Sequence, residues 1–203
     1  TIVAKDETSF SVSLVQYTQE HTNLIHRKPG DRINLETDII ARYVQQFVEV
    51  IRTVITADDG SGPVALTATS VASVSVDPPL LVFSVSAQSS AAATILKSST
   101  VVVHLLDGDD LGVARLASTS GVDRFADTST WSRLATGEPV YSGVRAWVRC
   151  AVVDRLEAGS ATVVAAHALQ SLVERDAPVG DPGNALVYHN RSWHLLSEGS
   201  RIA

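Results

Sequence analysis

Hydrophobic and polar positions alternate with different periods along this chain, and each change of period marks a new part. Ser9-Phe10-Ser11-Val12-Ser13-Leu14-Val15 alternates every second residue, the pattern of a half-buried strand. Lys28-Pro29-Gly30-Asp31 is a turn by composition and leads into a short strand, Arg32-Ile33-Asn34-Leu35-Glu36. Thr37 or Asp38 is then placed to cap a helix, because Ile39, Ile40, Tyr43, Val44, Phe47, Val48 and Ile51 recur at three- and four-residue steps that gather on one helical face. The N-terminal segment therefore predicts strand, turn, strand, helix.

Beyond Asp58-Asp59-Gly60-Ser61-Gly62-Pro63, a loop by its Gly and Pro content, strands take over. Val64 to Ser70 alternates, while Leu80 to Ser86 and Thr100 to Leu106 are continuous apolar runs of the kind buried on both faces. Between those runs Ser89 to Leu96 predicts a short helix with hydroxyls at its start, and Asp107-Gly108-Asp109-Asp110 caps a second helix through about Ala117. Val144 to Leu156 and Ala161 to Val173 are two long strands joined by Glu157-Ala158-Gly159-Ser160. Ala185 to His189 pairs with Trp193 to Leu196 across Asn190-Arg191. Many strands with few short helices predict a mainly β fold, a barrel, without internal repeats.

Composition narrows the class. The 203 residues, 45% hydrophobic and 19% charged, suffice for one globular domain with a small appendage. The net charge of −6 and the scatter of Lys and Arg leave no basic stripe for a phosphate backbone, so nucleic acid is not expected as a partner. No apolar run approaches the roughly 18 residues that cross a bilayer, and no signal-like segment opens the chain; a cytoplasmic protein without membrane contact is expected. The sequence has no Met and begins at Thr1, so its native start is expected to have been removed or to lie upstream. Cys150, the one cysteine, lies in the apolar run Trp147-Val148-Arg149-Cys150-Ala151-Val152 and is expected as a buried thiol rather than a nucleophile. His21, His26, His167 and His194 show no metal-site spacing, and no metal is expected.

The candidate chemistry lies in the hydroxyl-rich stretches. Thr67-Ala68-Thr69-Ser70, next to the strand that ends at Ser84-Val85-Ser86-Ala87, offers short donors and open backbone, a ledge for a flat polar ligand such as a flavin ring. Ser89, Ser90 and Thr94 at a helix start supply the small donors a flavin phosphate requires. In a protein without such a ligand the same hydroxyls would cap the helix and satisfy loop backbone. A dinucleotide fingerprint is absent, since Gly60-Ser61-Gly62 is followed by Pro63 and lacks the third glycine.

Two resemblances extend this reading. Phe10-Ser11-Val12-Ser13-Leu14, Thr18-Gln19-Glu20-His21-Thr22 and the run from Gly30 to Val44 resemble the closing part of a lumazine-binding barrel of riboflavin synthase, over about residues 1–46. This covers about the last half of one barrel, whereas that family's reaction needs complete, paired barrels, so a relic or a packing and oligomerisation element is expected here rather than riboflavin synthesis. From about Phe47 to Leu196 the chain resembles the flavin reductase-like, FMN-binding split-barrel family. The matching pieces are Leu66-Thr67-Ala68-Thr69-Ser70, Ser73 through Val82, Asp123-Arg124-Phe125-Ala126, Gly143 through Cys150 and Leu186-Val187-Tyr188-His189. The two resemblances imply domains at 1–46 and 47–203.

The second resemblance implies a homodimeric split β-barrel with FMN or FAD near the subunit interface. The ring would lie at Thr67–Ser70 and Ser84–Ala87, and the phosphate at Ser89–Thr94. It further implies hydride transfer from NADH or NADPH to the flavin N5, with reduced flavin passed to a partner monooxygenase. Such a reaction needs two aligned rings and no acid, base or nucleophile. The family's Gly-Asp-His turn, implicated in nicotinamide binding, is replaced here by Gly159-Ser160-Ala161. That departure keeps open a flavin-binding protein or flavoenzyme without NAD(P)H:flavin reductase activity. His104 stands where the family usually has Asn, as a donor to the flavin or its phosphate. His189, in the closing Tyr-His hairpin, is the one side chain implied to face flavin or substrate as a catalytic candidate. Asp123-Arg124-Phe125 and Trp131 read as a lid or interface loop, with Arg124 either meeting a phosphate or pairing at the surface.

Overall fold

A computed structural model describes residues 2–5, 10–12, 26, 28, 53–175, 185–190 and 192–196. The chain divides into two compact units, Thr1–Glu36 and Thr37–Ala203. In the first, β1 (Ile2–Lys5) runs antiparallel to β2 (Phe10–Val12), which forms from the start of the alternating segment. Residues 13–15 of that segment, the strand expected over 32–36, the helix expected over 37–51 and all of its turn except Lys28 lie outside the described residues.

The second unit is built on β3 (Thr53–Ala57), β4 (Val64–Ala68), β5 (Ala72–Ser75) and β6 (Leu80–Ser86), then α1 (Ala92–Lys97), β7 (Thr100–Leu105) and α2 (Leu111–Ser118). It continues through β8 (Trp131–Arg133), β9 (Pro139–Tyr141), β10 (Ala146–Ala158), β11 (Ala161–Val173), β12 (Leu186–His189) and β13 (Ser192–Leu195). Seven strands form one antiparallel sheet in the order β4-β3-β7-β10-β11-β6-β5, while β8-β9 and β12-β13 are separate hairpins. The sheet curls until its two sides approach. Just past β4, Ser70 Oγ accepts the backbone N–H of Ser84 in β6 at 2.9 Å and lies 2.7 Å from Ser84 Oγ.

Alternation explains how the central strands serve two cores. Ile55, Val103 and Val148 join Phe83, Val85, Ile95 and Cys150 in one cluster, which fills the curl of the sheet. Their neighbours Val54, Val102 and Trp147 join Ala114, Phe125, Tyr141 and Leu186 in the other, beneath α2 and the two hairpins. Thus β7 is buried on both faces, as its continuous apolar run predicts, with only Thr100 part-exposed. The same expectation fails for β6. Leu81, Phe83 and Val85 are buried, whereas Leu80, Val82 and Ser84 are only half-buried, because the curl covers one face of this strand.

The helices start differently from the expectation at one of the two sites. Asp107 caps a 3₁₀ turn at Gly108–Asp110 through a capping box with Asp110, and this turn feeds α2. By contrast α1 starts after Ala91 with no side-chain cap, so Ser89 and Ser90 precede the helix and Thr94 lies within it.

Candidate functional site

Four segments of the second unit enclose a cavity of about 560 Å³. Leu66 and Thr67 of β4 form one wall, and Gln88, Ser89 and Ser90 of the β6–α1 connection form the next. The end of α2 and the loop beyond it, Ala117 to Arg124, contribute a third wall, and Tyr188 and Trp193 of the β12–β13 hairpin a fourth. Pockets of this size hold ligands of cofactor dimensions.

The β6–α1 connection is fixed by its own hydroxyls. Ser86 O accepts Ser89 N–H at 3.0 Å, Ser86 Oγ accepts Gln88 N–H at 3.3 Å, and Ser89 Oγ accepts Ala91 N–H at 3.3 Å. The turn of the β10–β11 hairpin supports the connection from outside: Ser160 O accepts Ala87 N–H at 3.0 Å, and Gly159 takes a positive φ of 66°. Gly159-Ser160-Ala161 therefore adjoins the cavity wall without offering it a carboxylate or an imidazole.

Arg124 lines the opposite wall. Its Nε donates to Ala117 O at 3.1 Å and its Nη2 to Thr119 O at 2.9 Å, both at the C-terminal end of α2, while Nη1 lies 3.4 Å from Ser90 Oγ. The loop it belongs to is packed rather than poised as a lid. Phe125 is buried, stacks on Tyr141 with ring centroids 5.3 Å apart and planes 11° from parallel, and meets Trp131 edge-on at 5.0 Å. Trp131 Nε1 donates to Phe125 O, and Tyr141 OH to Arg124 O, each at 3.0 Å. Burial pushes the Tyr141 phenol up to about 12, so it remains a donor.

Of the sequence-predicted binding residues, Thr67, Ser89 and Ser90 line the cavity. Ser86 and Ala87 adjoin it through Gln88, and Ser70 and Ser84 pair with each other across the closing sides of the sheet. Thr69 is an exposed residue just beyond β4, outside the lining. The side chains of Ala68 and Val85 are core, leaving only their backbone to any ligand, and the Thr94 carbonyl receives the N–H and Oγ–H of Ser98.

Two predicted roles are corrected. His104 is fully buried, its Nδ1 donating to Val54 O and its Nε2 accepting Tyr141 N–H, each at 3.0 Å. With both nitrogens spent on backbone it has nothing left to give a flavin or a phosphate. His189 shares a hairpin face with Val187 and His194, with its ring 6.2 Å from that of His194, whereas the adjacent Tyr188 points to the opposite face and lines the cavity. The expectation for Cys150 agrees with its place in the core, where burial pushes the thiol up to about 12.

Sequence reasoning passed over Gln88, Trp193 and the run Ser118-Thr119-Ser120-Gly121, of which Ser118, Ser120 and Gly121 line the cavity. A second hydroxyl- and glycine-rich stretch directly after a helix was the available signal.

Comparison with known proteins agrees with this architecture. The model of the flavin reductase like domain matches residues 50–197, and that of the lumazine binding domain matches residues 1–38. The NADH:FMN oxidoreductase of Rhodococcus qingshengii is 36% identical over 142 residues, which make up 70% of this chain and 73% of that protein. The crystal structure of a flavin reductase domain protein from Arthrobacter sp. FB24 superposes with a TM-score of 0.66 at 25% identity, covering 76% of this chain and 94% of the other. BorF, the flavin reductase component of a bacterial two-component tryptophan halogenase, gives a TM-score of 0.62 at 27% identity over 78% of this chain and 99% of its own. By the extent of the family match and by the curled antiparallel sheet that carries the cavity, the chain belongs to the flavin reductase-like domain family.

Proposed function

We propose that this chain is an NAD(P)H-dependent flavin reductase that binds FMN or FAD in the cavity and hands reduced flavin to a partner monooxygenase or related two-component enzyme. The observation that carries this reading is the make-up of the cavity: hydroxyl donors on two walls, aromatic rings on another, and no nucleophile or general base among the described residues lining it. That donor set suits a flat ring with a polar edge and a phosphorylated tail. NADH as hydride source and FMN as acceptor agree with the name of the Rhodococcus oxidoreductase, and a two-component partner with that of BorF.

The bound flavin supplies a ring that accepts a hydride directly from the nicotinamide. The chain's own residues bind and orient. Ser89 and Ser90 offer short donors to the phosphorylated tail, Thr67 offers a hydroxyl along β4, and Tyr188 and Trp193 present an aromatic wall that keeps the rings parallel and sheds water. The Tyr188 and Trp193 rings meet edge-on at 4.9 Å, and this contact holds the wall in place. A homodimer working in the cytoplasm is part of the same proposal, supported by the apolar side chains exposed on the outer half of the β10–β11 hairpin.

One observation favours a second reading, a flavin-binding protein that does not use NAD(P)H: Gly159-Ser160-Ala161 brings no polar side chain of the expected kind to the cavity wall. Anaerobic mixing of the purified chain with FMN and NADH or NADPH separates the two. Bleaching of the flavin absorbance with either nucleotide is expected. Tight flavin binding without bleaching by either would transfer the case to the second reading.

A further inference from the structure

We propose that Arg175 is a positioning residue for the cavity: by clamping Asp107 and Asp110 it holds the β12–β13 hairpin in place, so that Tyr188 and Trp193 face the bound ring. The inference rests on the reading that the cavity holds a flavin, and it assigns part of that binding to a group outside the lining.

The hairpin needs such support. It is a separate two-stranded sheet that pairs with no strand of the main sheet, and two strands alone are marginally stable in water. Among the described residues its root is tied to the body by one backbone pairing, an antiparallel bridge between Ala185 and Asp107, while Ala185 O also accepts Leu196 N–H at 3.0 Å. Leu186 adds an apolar anchor in the second core, and Trp193 packs against that core. The orientation of the aromatic wall therefore depends on where the Asp107 backbone sits.

Arg175 fixes that place. Its Nη2 donates to Asp107 Oδ1 at 2.8 Å and to Asp110 Oδ1 at 2.7 Å, and its Nη1 donates to Gly143 O at 2.5 Å. Asp110 is buried, and its other oxygen accepts Asp107 N–H at 3.0 Å and Arg145 N–H at 3.2 Å. The backbone repeats the grip, since Arg145 O accepts the N–H groups of Glu174 and Arg175. One guanidinium thus ties the end of β11 to the turn before β10 and to the 3₁₀ turn from which α2 departs. Two of the four cavity walls, the end of α2 and the hairpin, start from this clamped cap. A planar fork fixes angles as well as distances, which a point charge does not. Its Nε is buried without a partner among the described residues. That unmade bond lowers the net stability the group contributes and leaves the placement it imposes unaffected.

The test is a double-mutant cycle on the full chain, with Arg175→Ala, Trp193→Ala and the pair, and with Arg175→Lys beside them. FMN dissociation constants and the fluorescence of the bound flavin are measured for each. Arg175→Ala is expected to weaken FMN about tenfold and to brighten the bound flavin, because the indole that quenches it no longer lies at a fixed distance. In the Trp193→Ala background the same substitution should change the FMN constant by about twofold at most, since the ring through which it acts is already gone. Arg175→Lys keeps the charge and should recover part of the affinity. In the native chain, FMN should slow amide hydrogen exchange at 186–189 and at 107–110 together, a readout that needs no variant.

Equal weakening of FMN by Arg175→Ala in both backgrounds would make Arg175 a general support of the fold and overturn the positioning role. So would a loss of urea stability with FMN affinity unchanged, or exchange protection confined to the hairpin. A native chain that binds no FMN would overturn the flavin reading and this role together, whereas FMN binding indifferent to Arg175 overturns the role alone.

Discussion

Burial draws the imidazole of His104 down to a pKa of about 4, because a charged ring has no water around it; the bonds to the Val54 and Val102 backbone act the other way and are outweighed. The neutral ring fits its partners, since Nε2 must accept the Tyr141 N–H and a proton there would set donor against donor. In the unfolded chain the group titrates near 6.5. Its contribution to stability is therefore fully present above pH 6.5 and is lost as the pH falls towards 4, on the order of 3 kcal/mol in all. The carboxyls held below their ordinary values, Asp58 and Glu138 among them, lose their contributions at lower pH, below 3.8 to 4.5. Urea midpoints measured from pH 7 to 4.5 should fall in the native chain and stay nearly flat in His104→Asn; equal slopes would assign the effect elsewhere. The sequence placed His104 in a strand and could not tell its side. In a strand buried on both faces, polar residues carry no alternation to say which core they enter, and the partners of this ring, Val54 and Tyr141, are far away in the chain.

At the scale of elements, legibility followed length and alternation. The long β10–β11 hairpin, the β12–β13 turn and the Asp107 cap were readable because period, turn residues and capping chemistry agree locally. β3 was not, since all five of its residues are buried and Thr53-Val54-Ile55-Thr56-Ala57 shows no alternation to separate it from the apolar run before it. β8 and β9, three residues each, are held by tertiary contacts that no local pattern records. The strongest of these is Glu138, buried just before β9, which accepts Arg149 Nε of β10 at 2.6 Å and also binds Thr136. Burial acts to raise this carboxyl, and the bonds from Thr136, Thr100 and Arg149 outweigh it. Removing one member of such a pair strands the other. Glu138→Ala should cost about 2–3 kcal/mol in chemical denaturation, and adding Arg149→Met should restore most of it. Independent, additive losses from the two substitutions would show that the pair does not couple the elements. The cavity obeys the same logic: its hydroxyls were visible one by one, but the meeting of four distant segments is a product of the curled sheet.

For the whole molecule, the outer half of the β10–β11 hairpin carries the prediction of a homodimer. β7 pairs with β10 only over Ala146–Ala151, with Val152 N–H reaching Ser99 O, and among the described residues no other strand continues along that edge. Two irregularities in the hairpin register, at Arg149/Cys150 and Val152/Asp154, fall where β10 parts from β7 and re-aim the side chains there. Val153 and Leu156 are left 60% and 67% exposed. An open strand edge beside apolar side chains is unfavourable in water and favours association. A two-fold contact between copies covers the same patch on both and leaves no edge for further growth. The chain should therefore sediment at twice its monomer mass, and Val153→Glu with Leu156→Glu should shift it to monomer without altering its circular dichroism, because both side chains already lie in solvent within one chain. A native chain that sediments as a monomer at micromolar concentration would remove the homodimer from the proposed function while leaving the cavity and its ligand untouched.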